Sequence, residues 1–286
     1  MIVFREKKEA HAWVLQQRKA GKTIGLVPTM GALHAGHHSL VTHSQQECDA
    51  TIATIFVNPT QFGPGEDLAK YPQTLEADLE GLRNLGTDAV FVPASPTAMY
   101  LPDHSTYVTP PIVASSWEGV VRPHHFRGVA TIVLKLFHLL PATTAFFGQK
   151  DYQQSAVIRA MVEEFDLDIE IRVCPIVRDP DGLAMSSRNR YLTAPERSCA
   201  LAIPRALQQA AEAFFAGERR AVVLESKMYE ELARGPVDGV DYAVIADAQT
   251  LQRQIVIERP AVALIAARVG STRLIDNHLL SPKNRD

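Results

Sequence analysis

The sequence predicts an α/β fold, a parallel sheet flanked by helices, followed by a smaller α+β domain. Three observations carry that expectation. Through residues 1–175, short apolar runs alternate with amphipathic stretches, the pattern of βαβ units. From residue 176 the texture changes to a polar loop, two helix-like segments and two strand-like runs. The 286 residues are 46% hydrophobic and 21% charged, the composition of a globular chain with a sizeable core.

Taken in order, residues 23–27, 51–57, 89–92, 144–147 and 169–173 are short and rich in β-branched or aromatic side chains, as buried strands are. Between them, residues 6–20, 37–47, 75–85, 128–139 and 152–165 follow the helical period. Right-handed crossovers place strand carboxyl ends and helix N-termini on one rim, where open α/β sheets bind ligands. Two long connections, 58–73 and 93–123, break the rhythm, and loops of that length in a compact domain are functional or mobile. Residues 178–189 read as a polar loop. Thr193-Ala-Pro-Glu196 is a capping box that opens a helix reaching about Phe215, and a second helix spans 219–233 until Gly235 and Pro236 end it. Strand-like runs at 241–245 and 261–269 complete the second domain, so the expected division is 1–175 and 176–286.

Composition also excludes classes of function. With 32 acidic against 29 basic residues and a net charge of −3, a dedicated nucleic-acid surface is not expected. The longest apolar stretches, such as 129–134, fall far short of the roughly 18 residues of a membrane span. Cys48, Cys174 and Cys199 are widely spaced and odd in number, which argues against a disulfide framework or a zinc site. Only a three-residue apolar run precedes the N-terminal charges, so no secretory leader is read and a cytoplasmic protein is expected.

The strongest chemical signal is Val27-Pro-Thr-Met-Gly-Ala-Leu-His-Ala-Gly-His37. A buried strand ends, the chain turns through Gly31, and His34 and His37 open the next helix one turn apart, so both imidazoles can address one object. Gly36 between them leaves room for a ligand, and the helix N-terminus offers amides and a positive dipole end to phosphate. Such a site suits attack on a nucleotide α-phosphorus, where charge builds on the equatorial oxygens. The competing view is two ordinary polar histidines at a helix start. A second signal is Phe146-Phe-Gly-Gln-Lys-Asp-Tyr-Gln-Gln154, in which Lys150 stands at a strand end and Gln154 one turn into a helix; a capped helix with a solvated lysine is its alternative. Third, Asp181-Gly-Leu-Ala-Met-Ser-Ser-Arg-Asn189 could wrap triphosphate oxygens or serve as a polar linker. Gln61 follows a strand end, and Arg122-Pro-His-His-Phe-Arg-Gly128 supplies cations and imidazoles or a solvated basic turn. No HExxH, GxSxG or GxGxxG occurs, which disfavours a metalloprotease, a serine hydrolase and a dinucleotide-binding protein.

The segments Pro-Thr-Met-Gly-Ala-Leu-His-Ala-Gly-His, Ile-Phe-Val-Asn-Pro-Thr-Gln-Phe, Phe-Gly-Gln-Lys-Asp-Tyr-Gln-Gln and Met-Ser-Ser-Arg-Asn-Arg-Tyr-Leu closely resemble the pantoate–β-alanine ligase (pantothenate synthetase) family, in order and over essentially the whole chain. The resemblance implies a Rossmann-like domain of the nucleotidyltransferase type, a smaller C-terminal lid domain and a homodimer. It implies small-molecule substrates: ATP, used with Mg²⁺, (R)-pantoate and β-alanine. Pantoate would be adenylated with release of pyrophosphate, and β-alanine would then displace AMP. The runner-up is a nucleotidyltransferase that adenylylates a phosphorylated acceptor at the same histidine site. A non-catalytic nucleotide-binding protein would leave the two histidines and Lys150 without purpose, and no anticodon-binding module supports a tRNA synthetase.

Carried over by motif, Met30, Gly31, Ala32, Leu33, His34, Ala35, Gly36 and His37 would line the ATP site, His37 acting as a proton donor. Gly148, Gln149, Lys150 and Asp151 would bind nucleotide and Val177 its adenine side, while Met185, Ser186, Ser187 and Arg188 would close over the triphosphate. His34, His37, Lys150 and Arg188 are thus the expected catalytic groups. Gln61 and Gln154 would hold pantoate, with Arg122 and His125 near the acceptor site. Asp78 is the candidate magnesium ligand. Departures from the family pattern, at Thr60, Gln149 and His38, are small.

Overall fold

A computed structural model describes residues 1–281 of the chain. Contacts divide it into two compact units, Met1–Gln149 with Gln153–Pro175, and Lys150–Tyr152 with the chain from Ile176 onward.

The first unit begins with β1 (Ile2–Phe4), α1 (Lys7–Lys19), β2 (Ile24–Thr29), α2 (Ala35–Glu47) and β3 (Ala50–Ile55). It continues with α3 (Leu75–Asn84), β4 (Ala89–Phe91), the short α4 (Pro96–Met99) and α5 (Glu118–Val121), and α6 (His125–Leu139). Then come β5 (Thr144–Gly148), α7 (Tyr152–Glu164) and β6 (Glu170–Cys174). All six strands pair in parallel in the order β1-β4-β3-β2-β5-β6. β3 is buried at every position, as a strand covered by helices on both faces must be. The chain leaves β2 toward β3 on one side, and β5 later returns to the other side of β2. The carboxyl end of β2 is therefore the topological switch point, where such sheets bind ligands.

The second unit carries α8 (Ala194–Ala200), α9 (Ala202–Phe215), α10 (Ala221–Arg234), β7 (Gly239–Asp247), β8 (Ala261–Val269) and β9 (Thr272–Leu280), the strands forming an antiparallel sheet. Its own core includes Ile203, Leu207, Phe214, Leu224, Ile245 and Ile265.

Several sequence expectations are corrected. The helix opened by the Thr193–Glu196 capping box does form, but it stops at Leu201 and restarts as α9. Pro204 has no N–H to give the Ala200 carbonyl, so the ladder cannot run through. α10 does end at Gly235, which has φ −87°. A glycine stands there because a Cβ would lie 2.2 Å from that of Ala202. β1 and β9, read as a terminal apolar run and as no strand at all, complete their sheets. α2 starts two residues before the expected 37, with His34 as its N-cap.

Candidate active site

The loop between β2 and α2 is a tight cradle built on a buried carboxylate. Gly31 and Ala32 both have positive φ, 85° and 51°. That turn points the Ala32 and Leu33 N–H groups inward, where they donate to Asp78 Oδ2 and Oδ1 at 2.9 and 2.8 Å. Thr74 Oγ1 adds a third donor at 3.1 Å, and Asp78 is only 4% exposed. Asp78 thus does not present itself as the expected magnesium ligand, because its oxygens are occupied by the loop. Among the described residues, no group of three His, Cys, Asp or Glu is placed to hold a metal. The same bonds revise the phosphate expectation for Ala32 and Leu33, whose amides are not open to a ligand.

His34 caps α2 in an unusual way, its Nδ1 accepting from Gly36 N–H at 3.1 Å. A ring nitrogen that accepts a backbone N–H carries no proton, so the neutral imidazole has its hydrogen on Nε2, a donor. The His34 and His37 rings lie with centroids 4.1 Å apart and planes tilted by 44°. Both are half-buried, and both stand on the segment that follows the carboxyl end of β2, the switch point.

Gln61, 9% exposed, is held in a direction that backbone atoms dictate. Asn58 accepts from Thr60 N–H at 3.3 Å, and its other terminal atom faces the Gly128 carbonyl at 3.2 Å. An N–H only donates and a carbonyl only accepts, so the Asn58 amide has one possible orientation. Its Nδ2 then donates to Gln61 Oε1 at 3.0 Å, while Tyr100 OH donates to its Oδ1 at 2.9 Å. Gln61 Nε2 is turned the other way, toward Met30 Sδ at 3.2 Å, a weak acceptor. The histidine loop and the Gln61 segment therefore meet at this contact.

Arg122 and His125 grip Gln61 from behind. His125 Nδ1 donates to the Gln61 carbonyl at 2.9 Å, and Arg122 Nη2 donates to it at 3.3 Å. Arg122 also pairs with both oxygens of Glu66, at 2.8 and 2.6 Å, and lies 3.8 Å from Glu118. Its cation is engaged by carboxylates. Burial first, and the neighbouring Arg122 second, push His125 down to about 4, so the ring is neutral. α6 approaches so closely that a Cβ on Gly128 would lie 2.3 Å from the Thr60 carbonyl oxygen. Asn58, Tyr100 and Glu66 were missed as site residues; Asn58-Pro is itself a turn signature that could have pointed to the first.

At the end of β5, Gly148 faces open space. Gln154 is half-buried in the first turn of α7, while Gln153 beside it is structural, bonding the Val113 and Ser116 carbonyls.

Gln149 belongs to the first unit, while Lys150, Asp151, Val177 and Met185–Arg188 lie in the second. Lys150 Nζ is 3.7 Å from Asp151 Oδ1. Val177 and Met185 face each other across a hairpin, Met185 N–H donating to the Val177 carbonyl at 3.0 Å. Ser186 Oγ caps Arg188 N–H at 3.3 Å, and Ser187 is buried at the start of a 3-10 turn, Ser187–Tyr191.

Comparison with known proteins agrees with this geometry. A family model described as pantoate-β-alanine ligase matches residues 2–279. A pantothenate synthetase of Rhodopirellula baltica is 51% identical over 283 residues, covering 98% of this chain and 99% of the relative. The crystal structure of pantothenate synthetase from Thermus thermophilus superposes with a TM-score of 0.93 at 38% identity, over 99% of this chain and 100% of that one. A pantoate-β-alanine ligase from Francisella tularensis, solved with β,γ-ATP and β-alanine, gives a TM-score of 0.81 at 34% identity, covering 98% and 97%.

Proposed function

This chain belongs to the pantoate–β-alanine ligase family, and from that premise we propose that it condenses (R)-pantoate with β-alanine, converting ATP to AMP and pyrophosphate. The observation that carries the reading is the His34–His37 pair at the switch point of the sheet, on a loop whose Met30 meets the amide of Gln61. The pantoate carboxylate would attack the α-phosphorus of ATP, forming the acyl–phosphate bond as the bond to pyrophosphate breaks. The β-alanine amine would then attack the acyl carbon, with AMP leaving and the amine losing a proton.

In this scheme the histidines stabilise the charge that grows on the α-phosphate oxygens. His34 does so through Nε2–H, and His37 serves as proton donor. Gln61 and Gln154 orient pantoate. Lys150 and Arg188 neutralise the departing pyrophosphate, Met185–Ser187 enclose the triphosphate, and Val177 contacts the adenine. Gly148–Asp151 contact the nucleotide. Arg122 and His125 hold Gln61 rather than touch substrate. The first domain binds ATP and pantoate, and the second acts as a lid that keeps water from the adenylate. Among the described residues no group of three His, Cys, Asp or Glu is placed to hold a metal, so the magnesium we propose would enter with the triphosphate and supply charge neutralisation there.

We further propose a cytoplasmic homodimer. The family resemblance supports it, as do the exposed apolar side chains Leu101, Ile112 and Val120. No described helix is long and apolar enough to cross a membrane.

The test is AMP formation from ATP and pantoate with and without β-alanine. Amide and AMP in equal amounts, formed only when the amine is present, are expected. A stable adenylylated acceptor with no amide would reject this reading in favour of the nucleotidyltransferase alternative.

A further inference from the structure

We infer that Asp276 and Asn277, neighbours on β9, are positioning residues for the two segments that handle the triphosphate. The inference rests on the phosphate roles proposed above for Lys150 and for Met185–Arg188.

Among the described residues β9 is an edge strand, paired with β8 alone. Burial along its first four residues alternates as it should in a strand, then breaks at 276 and 277, where two consecutive polar side chains are 3% and 2% exposed. Successive strand residues point to opposite faces, so both faces are covered at this one place. A buried carboxylate and a buried amide are costly unless fully bonded, and each of these is bonded to a different segment. Asp276 takes Arg178 in a bidentate pair, Oδ2 from Nη1 at 2.7 Å and Oδ1 from Nη2 at 3.1 Å. Arg178 Nη1 also reaches across the hairpin turn to the Gly182 carbonyl at 3.1 Å. Asp276 thereby fixes the hairpin that aligns Val177 with Met185 and leads into Ser186–Arg188. Asn277 Nδ2 donates to the backbone carbonyl of Lys150 at 3.0 Å. Holding that peptide sets the direction in which the lysine side chain leaves the backbone. Asn277 N–H also donates to Asp276 Oδ1 at 2.8 Å, so the pair is one node. A bidentate carboxylate on one face and a carboxamide on the other bring two sequence-distant cationic segments under one strand.

The experiment is a double-mutant cycle on the full chain, reading kcat/KM for ATP and the thermal midpoint for wild type, K150A, N277A and the pair. N277A is expected to lower kcat/KM for ATP by about three- to tenfold, the range set by one lost hydrogen bond. In the K150A background the same substitution is expected to add less than about twofold, because its effect passes through the lysine. N277S, which retains a donor, restores part of the loss and serves in the cycle if the alanine variant does not fold. An effect that multiplies fully in the K150A background, or a lowered midpoint with normal ATP kinetics, assigns Asn277 a purely structural role and overturns the inference. If K150A itself has normal ATP kinetics, the phosphate role of Lys150 is wrong and the inference falls with it. If K150A is impaired and N277A is not, only the inference fails.

Discussion

Replacing Asp78 by asparagine separates the two roles a buried acid at this rim can have. The carboxylate accepts from the Ala32 and Leu33 N–H groups at 2.9 and 2.8 Å. Hydrogen bonds to a charged acceptor contribute about 1.5–3 kcal/mol each. Asparagine of the same shape can accept only one of the two amides and turns its NH₂ toward the other, so the expected loss is about 3 kcal/mol. For a chain of this size that lowers the thermal midpoint by about 6–12 °C. The loop also carries Met30, which meets Gln61, and it leads into the His34 cap, so activity falls together with stability. Scanning calorimetry gives the midpoint, and a magnesium titration of the ligase rate gives the metal requirement. An unchanged midpoint with an activity loss that extra magnesium restores would refute the structural role and make Asp78 a metal ligand.

Four further outcomes follow from the same geometry. His37→Ala is expected to lower the adenylation rate by about 2–4 kcal/mol in barrier with little change in ATP affinity, measured by pyrophosphate exchange. Gln61→Glu replaces an amide donor by an anionic acceptor, and should raise the pantoate KM by tenfold or more while the ATP KM moves less. Gly128→Ala forces a methyl to 2.3 Å from the Thr60 carbonyl, so the segment 58–61 must shift; a stability loss of about 2–3 kcal/mol by denaturant unfolding and a raised pantoate KM are expected together. His125 sits at about 4 in the folded chain against an ordinary 6.5, so the unfolded chain takes up the proton first as the pH falls. Its contribution is therefore complete above about pH 6.5 and lost between there and pH 4, by at most about 3 kcal/mol; His125→Asn, which keeps the donor to Gln61, should flatten that slope in a pH series of unfolding curves.

What could be read from the chain follows from range. The four inner strands, β2 to β5, were legible because strands buried on both faces are continuous apolar stretches that need no partner to be recognised, and the edge strand β6 was legible through its alternation. β9 was not, because Thr272–Leu280 carries Arg273, Asp276, Asn277 and His278, and its alternation breaks where both faces are covered. The histidine loop was legible as a motif, but its bracing was not. Asp78 reaches Ala32 from 46 residues away, Tyr100 reaches Asn58 from 42, and Asn277 reaches Lys150 from 127. Nothing local marks those partners. The same limit explains Arg122, whose charge reads as a free cation in sequence and is bound by Glu66, 56 residues earlier.

The chemistry also accounts for which groups stand where. Both proposed substrates of the first step are anions, so a rim that binds them must present donors and keep its own carboxylates out of reach. Asp78 sits behind the loop with its charge taken by backbone amides, and Glu66 is bound to Arg122. The donors proposed to meet them are neutral and directional: the His34 Nε2–H and the Gln61 amide, which also touches Met30. A neutral donor whose orientation is fixed by backbone atoms cannot turn to offer an acceptor instead. It favours a carboxylate or hydroxyl oxygen over a group that would present N–H, by the desolvation left unpaid when two donors face each other. If Gln61 holds pantoate as proposed, fixing the Asn58 amide between one backbone N–H and one backbone carbonyl would carry substrate selection as well as shape. Because that selection is set in the backbone, changes to neighbouring side chains shift its strength before they change its sign.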